Sequence, residues 1–201
     1  MRATDHTSAA QRPRRRADAE RSVARVLDAA VDALARDPEA SMAAIARGAD
    51  VARATIYAHF TTRQSLIDAV TDRAIAEATL AIKAAEPEEG NATDALRRVV
   101  ASAWRTLGRY HAMVNINRGL PPSELRSRHQ PVLATLQPLI ERGQRDGSFR
   151  SGVPVAWHLS TMIALIHAAS DEIYAGRLSE AEAESALIAT LVGAVCASDS
   201  R

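Results

Sequence analysis

Wherever this chain carries apolar side chains in number, they recur every three or four residues, and nowhere do they alternate one by one over a convincing stretch. A spacing of three and four lines up one face of an α-helix, whereas a half-buried strand needs a period of two. The fold class this predicts is all-α. Ala is the best helix former and Gly a poor one, and the chain has 42 Ala against 9 Gly in 201 residues. Apolar and charged shares of 47% and 24% exclude wholesale disorder.

The breaks in this pattern divide the chain into about nine helices. Val23, Val26, Leu27, Ala30, Val31 and Leu34 line a helix from Ala19 to Arg36, which Asp37-Pro38 ends. Ser41 stands as an N-cap before Met42–Gly48. Ala49-Asp50-Val51 reads as a tight turn before a second short helix, with Val51, Ile56 and Phe60 facing inward. A long helix from Arg63 to about Ala85 stops at Glu86-Pro87. Helices are then expected over Thr93–Met113, Val132–Arg145, Pro154–Tyr174 and from Ser179 to about Cys196, with a loop from Asn115 to Pro122. Ser179 and Glu182 have the spacing of a capping box.

Charge follows the same division. Residues 1–63 hold 11 Arg against 8 acids, and the remainder 14 Lys and Arg against 16 acids, so a basic end joins a nearly neutral body. Three parts are expected: a flexible basic arm over 1–18, with Arg12, Arg14, Arg15 and Arg16, a head over 19–64 whose charge is compatible with binding nucleic acid, and a helical body over 65–201. The arm is either a solvated tail or an added phosphate or minor-groove contact. No apolar stretch follows the basic N-terminus, so it does not read as a secretory signal. The uncharged run Ser151–Ser170 contains Gly152, Pro154, His158 and His167, a poor membrane span and a good buried helix. With a single Cys, Cys196, neither a disulfide within the chain nor a Cys-cluster metal site is expected, and a cytoplasmic setting fits.

Two short helices joined by a tight turn and braced by a longer one make a helix-turn-helix, whose second helix fits the major groove. The run SMAAIARGADVARATIYAHFTTRQSL, Ser41 to Leu66, resembles the DNA-binding region of TetR-family transcriptional regulators. The likeness rests on Ile45-Ala46, Val51, Thr55-Ile56-Tyr57, His59-Phe60 and Leu66. Asp50, Ala52, Ala54 and Arg63 depart from the family's usual Gly, small cap, Gly and Lys. Asp tolerates a left-handed turn better than most residues, and Ala52 removes a side-chain cap. By resemblance, Tyr57, His59 and Arg63 contact phosphates, Arg53, Ala54 and Thr55 face bases, and Ser41 joins them on the DNA side. Arg53, whose fork matches the guanine O6 and N7 acceptors, is the leading reader of a base.

The resemblance further implies a homodimer built on the last two helices, near 154–174 and 180–197, a double-stranded DNA operator and a small-molecule effector. An apolar terminal helix of this kind would otherwise expose a large patch. Trp104, Tyr110, Met113, Trp157, His158 and Met162 are the candidate pocket residues for an apolar or aromatic effector. Each could equally be an ordinary core residue. The function expected is a ligand-responsive regulator, a repressor released from a palindromic operator. The alternative is an all-α binding protein or enzyme with a vestigial helix-turn-helix. Catalysis has little support: His167 and Asp171 are one turn apart, a spacing commoner in surface contacts than in metal sites, and Cys196 lacks a nearby activating base. No cofactor, metal or membrane partner is expected.

Overall fold

The computed structural model describes residues 7–117 and 120–197, apart from the side chains of residues 7–17, 115 and 122. Ten α-helices and one 3-10 turn account for the regular structure among them: α1 Thr7–Arg36, α2 Met42–Gly48, α3 Arg53–His59, α4 Arg63–Ala84, α5 Ala92–Leu107, the turn Gly108–Tyr110, α6 His111–Ile116, α7 Pro122–Arg128, α8 Gln130–Arg145, α9 Val155–Tyr174 and α10 Glu180–Val195. The chain divides into two compact units within α4, between Val70 and Thr71.

In the first unit the expected stripe of α1, Val26, Ala30, Val31 and Leu34, is buried together with Ile45 and Ala46 of α2, Ile56 of α3 and Leu66, Ile67 and Val70 of α4. α1 begins at Thr7, well before the start expected near Ala19. Its N-terminal extension, residues 7–18, carries three Ala and four Arg, which favour helix without an apolar stripe. The side chains of Arg12, Arg14, Arg15 and Arg16 lie outside the described residues.

The second unit packs Ile82 of α4, Leu96, Val99 and Trp104 of α5, Leu136 and Ile140 of α8, Met162 of α9 and Leu187 and Leu191 of α10 into one core. The turn between α4 and α5 has Glu86 at φ 51° and Gly90 at φ 72°. Two arginines hold it: Arg98 donates to the carbonyls of Ala85, Glu86 and Glu89, and Arg142 to those of Pro87 and Gly90. Ser179 and Glu182 form the expected capping box. Two boundaries differ from expectation. The Thr93–Met113 helix breaks at Gly108 into a 3-10 turn and α6, and the stretch after Pro121 forms α7, which periodicity misses because Leu125 is its one apolar side chain.

Candidate nucleic-acid interface and effector cavity

Ser41 caps α2 through its Oγ, which accepts from the Ala44 amide at 3.2 Å. The turn out of α2 closes with Ala49 donating to Ile45 O at 2.9 Å and Val51 to Ala46 O at 3.0 Å. Asp50 there adopts φ 52°, the left-handed conformation that Gly would adopt more readily. Ala52 is the N-cap of α3 and makes no side-chain cap bond. Replacing it with Ser supplies the missing acceptor and should stabilise the first unit by about 1 kcal/mol, read from chemical denaturation.

α3 is anchored by Ile56, which is 0% exposed, and by Phe60 just after it. Opposite these anchors Arg53, Ala54, Tyr57 and His59 are exposed, Tyr57 at 49%, and Thr55 is half-buried. This brings five of the expected DNA-side residues onto one short helix. Arg63 is placed differently. Its guanidinium donates to Pro38 O and, at 3.4 Å, to Ala40 O, so it clasps the loop between α1 and α2.

The second unit contains two adjoining cavities of about 60 Å³ each. One is walled by aliphatic residues, among them Ile82, Val99, Val100, Ala103 and Leu136, with Met162. The other adds Thr71, Tyr110, Met113, Asn117 and Arg128. Ile75, Leu107, His129, Ile166 and His167 belong to both walls and form the waist between the lobes. Three of the six expected pocket residues therefore line the cavities: Tyr110, Met113 and Met162. Trp104 and His158 are buried elsewhere in the core, Trp104 against the ring of His111 at 4.7 Å and His158 donating to Arg150 O at 3.2 Å. Trp157 is corrected outright, since it lies in the first turn of α9 and is 67% exposed. The sequence pattern misses Arg128 and His129, because α7 has no periodic signal that would set it and the start of α8 beside a cavity, and it does not assign Asn117 or His167 to a pocket.

Polar groups around the cavities are mostly matched. The Tyr110 hydroxyl donates to Glu77 at 2.8 Å and accepts from Arg73 Nε at 3.1 Å. Asn117 donates to Thr71 Oγ1 at 2.8 Å. His129 donates through Nδ1 to Leu125 O at 2.8 Å and faces the His167 ring at 5.6 Å. The Ser170 hydroxyl donates to Ile166 O, so it accepts from His111 Nδ1 at 3.0 Å, and His111 Nε2 is left buried without a hydrogen-bond partner.

Burial holds the pKa of both His111 and His129 below the ordinary 6.5, against weaker opposing effects of Glu180 and of the Leu125 carbonyl. The native protein thus favours neutral rings, while the unfolded chain takes up these protons near pH 6.5. Stability from the two is fully present above about pH 6.5 and is lost as the pH falls through that value toward the lowered native ones. The thermal midpoint should fall on acidification below about pH 6.5, and the fall should shrink in His111→Gln.

α9 and α10 each leave an apolar face outward. On α10 it comprises Ala186, Ala189, Thr190, Gly193 and Ala194, and no charged residue occurs from Ser185 to Ala197. On α9 Ala164 and Ala168 are exposed, as is Tyr174. No group of three or more metal-ligating side chains gathers among the described residues, and no helix there is long and apolar enough to cross a membrane.

Comparison with known proteins agrees with this geometry. A family profile described as "Bacterial regulatory proteins, tetR family" matches residues 26–70. Over 83 residues the chain is 37% identical to the HTH-type transcriptional repressor LfrR of Mycolicibacterium smegmatis, a stretch covering 41% of this chain and 44% of that protein. The chain thus matches under half the length of this curated relative. The crystal structure of LfrR from Mycobacterium smegmatis in complex with proflavine is 26% identical, with a TM-score of 0.70 over 89% of this chain and 98% of that one. Bacillus subtilis FadR in complex with stearoyl-CoA shares the fold at 18% identity, with a TM-score of 0.68 over 84% and 96%. The tetR-family match thus falls on the helix-turn-helix head, and most of the chain shares the fold of these two regulators.

Proposed function

We propose that the protein is a ligand-responsive transcriptional regulator, a repressor that binds a palindromic operator as a dimer and leaves it when a small apolar effector enters the body. The observation that carries the reading is α3: a short helix pinned from behind by Ile56 and Phe60, with Arg53, Ala54 and Tyr57 exposed on its other side. Arg53 and Thr55 stand at the end of the helix that enters a major groove first, where base edges are met. Tyr57 and His59 reach phosphates at its flank. Arg63 adds charge while holding the α1–α2 loop in place.

The outward small-residue faces of α9 and α10 support dimerisation, since Ala and Gly let helices approach closely and the patch is apolar. Two subunits then present two α3 helices to successive major grooves. The proflavine complex of LfrR and the stearoyl-CoA complex of FadR support an organic effector in the body. Ile75, Ala78 and Ile82, which line the lobes, lie on α4, the same helix that supplies Leu66, Ile67 and Val70 to the head's core. A ligand that shifts α4 alters the spacing of the two reading helices, which operators tolerate poorly.

The test is a competition assay at physiological salt, paired with sedimentation analysis. A two-subunit species that prefers fragments of its own genome over random duplex supports the reading. A single subunit, or equal binding to both DNAs, overturns it in favour of a helical binding protein with a vestigial head.

A further inference from the structure

Among the described residues, neither lobe of the body cavity has an aspartate or glutamate in its wall. Apart from His129 and His167 at the waist, the first lobe is walled by aliphatic side chains and Met162, and its small volume suits a narrow chain better than a fused ring system. The second ends on Arg128 and Asn117, both hydrogen-bond donors. Of the nearby carboxylates, Glu124 binds Arg128 at 3.0 Å, Glu77 accepts from Tyr110 and lies 3.6 Å from Arg73 Nε, and Asp171, one turn from His167, borders a separate cavity rather than either lobe. An aromatic face could still attract a cation. Tyr110 is the one Phe, Tyr or Trp in the walls, and its ring already has the guanidinium carbons of Arg109 and Arg73 at 5.4 and 5.9 Å from its centroid. An ammonium entering here would lose its water with no anion or open ring to replace it, a costly transfer.

We infer that the cavity selects an aliphatic molecule whose polar end accepts hydrogen bonds, either neutral or anionic, and rejects organic cations. The acceptor end lies beside Arg128 and the chain runs past the His129–His167 waist into the first lobe. This inference rests on the reading of the lobes as the effector site, so the experiment separates the two.

Octanoate, octanol and octylammonium are titrated into the full-length protein by calorimetry. Octanoate and octanol should bind, and octylammonium should bind at least about tenfold more weakly, as loss of a charge-assisted hydrogen bond implies. Arg128→Gln should weaken octanoate about tenfold and octanol by less, since only the carboxylate loses a charge-assisted bond, with Arg128→Lys restoring most of the octanoate affinity. Ala103→Leu, which narrows the first lobe, should weaken both binders. If octylammonium binds as tightly as octanoate and Ala103→Leu weakens it, the charge inference fails while the cavity stands. If none of the three binds, or Ala103→Leu changes nothing, the reading of the lobes as the effector site fails and the inference falls with it.

Discussion

Replacing Arg53 with Ala should lower affinity for the preferred operator by about a hundredfold or more while leaving binding to scrambled duplex almost unchanged. A guanidinium bidentate to a guanine edge contributes about 1–3 kcal/mol of discrimination, and a symmetric dimer makes the contact twice. Arg53 is the first residue of α3, exposed, and flanked by Ala52 and Ala54, whose short side chains leave its fork unobstructed. Fluorescence anisotropy on an operator selected from random duplexes, repeated over a salt series, checks the claim. If Arg53 touches only phosphate, both DNAs lose affinity together and the salt slope drops by roughly 0.9 for each phosphate no longer neutralised. That outcome would move base reading to Thr55 and Ala54.

Gly143→Ala is expected to destabilise the body by about 3 kcal/mol or more. A Cβ at this buried position of α8 would lie 2.6 Å from Phe149 Cγ and nearer still to Cδ2 and Cε2. The ring cannot swing clear. Phe149 is 1% exposed, its amide donates to Gly143 O at 2.8 Å, and it forms a bridge with Cys196. Neighbouring bonds from Arg150 to Val195 O at 3.0 Å and from Ala197 to Ser148 O at 2.9 Å fasten the same segment to the end of α10. For a chain of this size the thermal midpoint should drop by about 10 °C. Phe149→Leu in the Gly143→Ala background should recover part of the loss, a coupling that a double-mutant cycle measures. An unchanged midpoint in the single variant would mean that the ring does not rest on Gly143.

How much of this is legible in the sequence depends on the range of the interactions concerned. The helix-turn-helix itself, α2, its turn and α3, is shaped by contacts a few residues apart, and there the sequence speaks directly. Ser41 as a cap, the left-handed Asp50, the uncapped Ala52 and the inward Ile56 and Phe60 all stand as local chemistry requires. The body depends on packing between distant helices. Trp157 carries the same apolar signal as Tyr110, yet one is at the surface and the other in a cavity wall, because helix rotation and not residue type decides it. α7 has too few apolar residues to show a period. Gly143 reads in a sequence only as a weak helix residue, and its use becomes visible when Phe149 lies across it. The clasp made by Arg63 is hidden for the same reason, since the Pro38 and Ala40 carbonyls that hold it are far away in sequence.

Hydroxyl-radical footprinting of the full-length protein on a selected operator tests the central claim most directly. The account predicts two symmetric protected half-sites whose centres lie one helical turn apart, roughly 34–36 Å, or a multiple of that, with both disappearing together in Arg53→Ala. A single footprint, or protection spread evenly over the duplex and indifferent to Arg53, would contradict it.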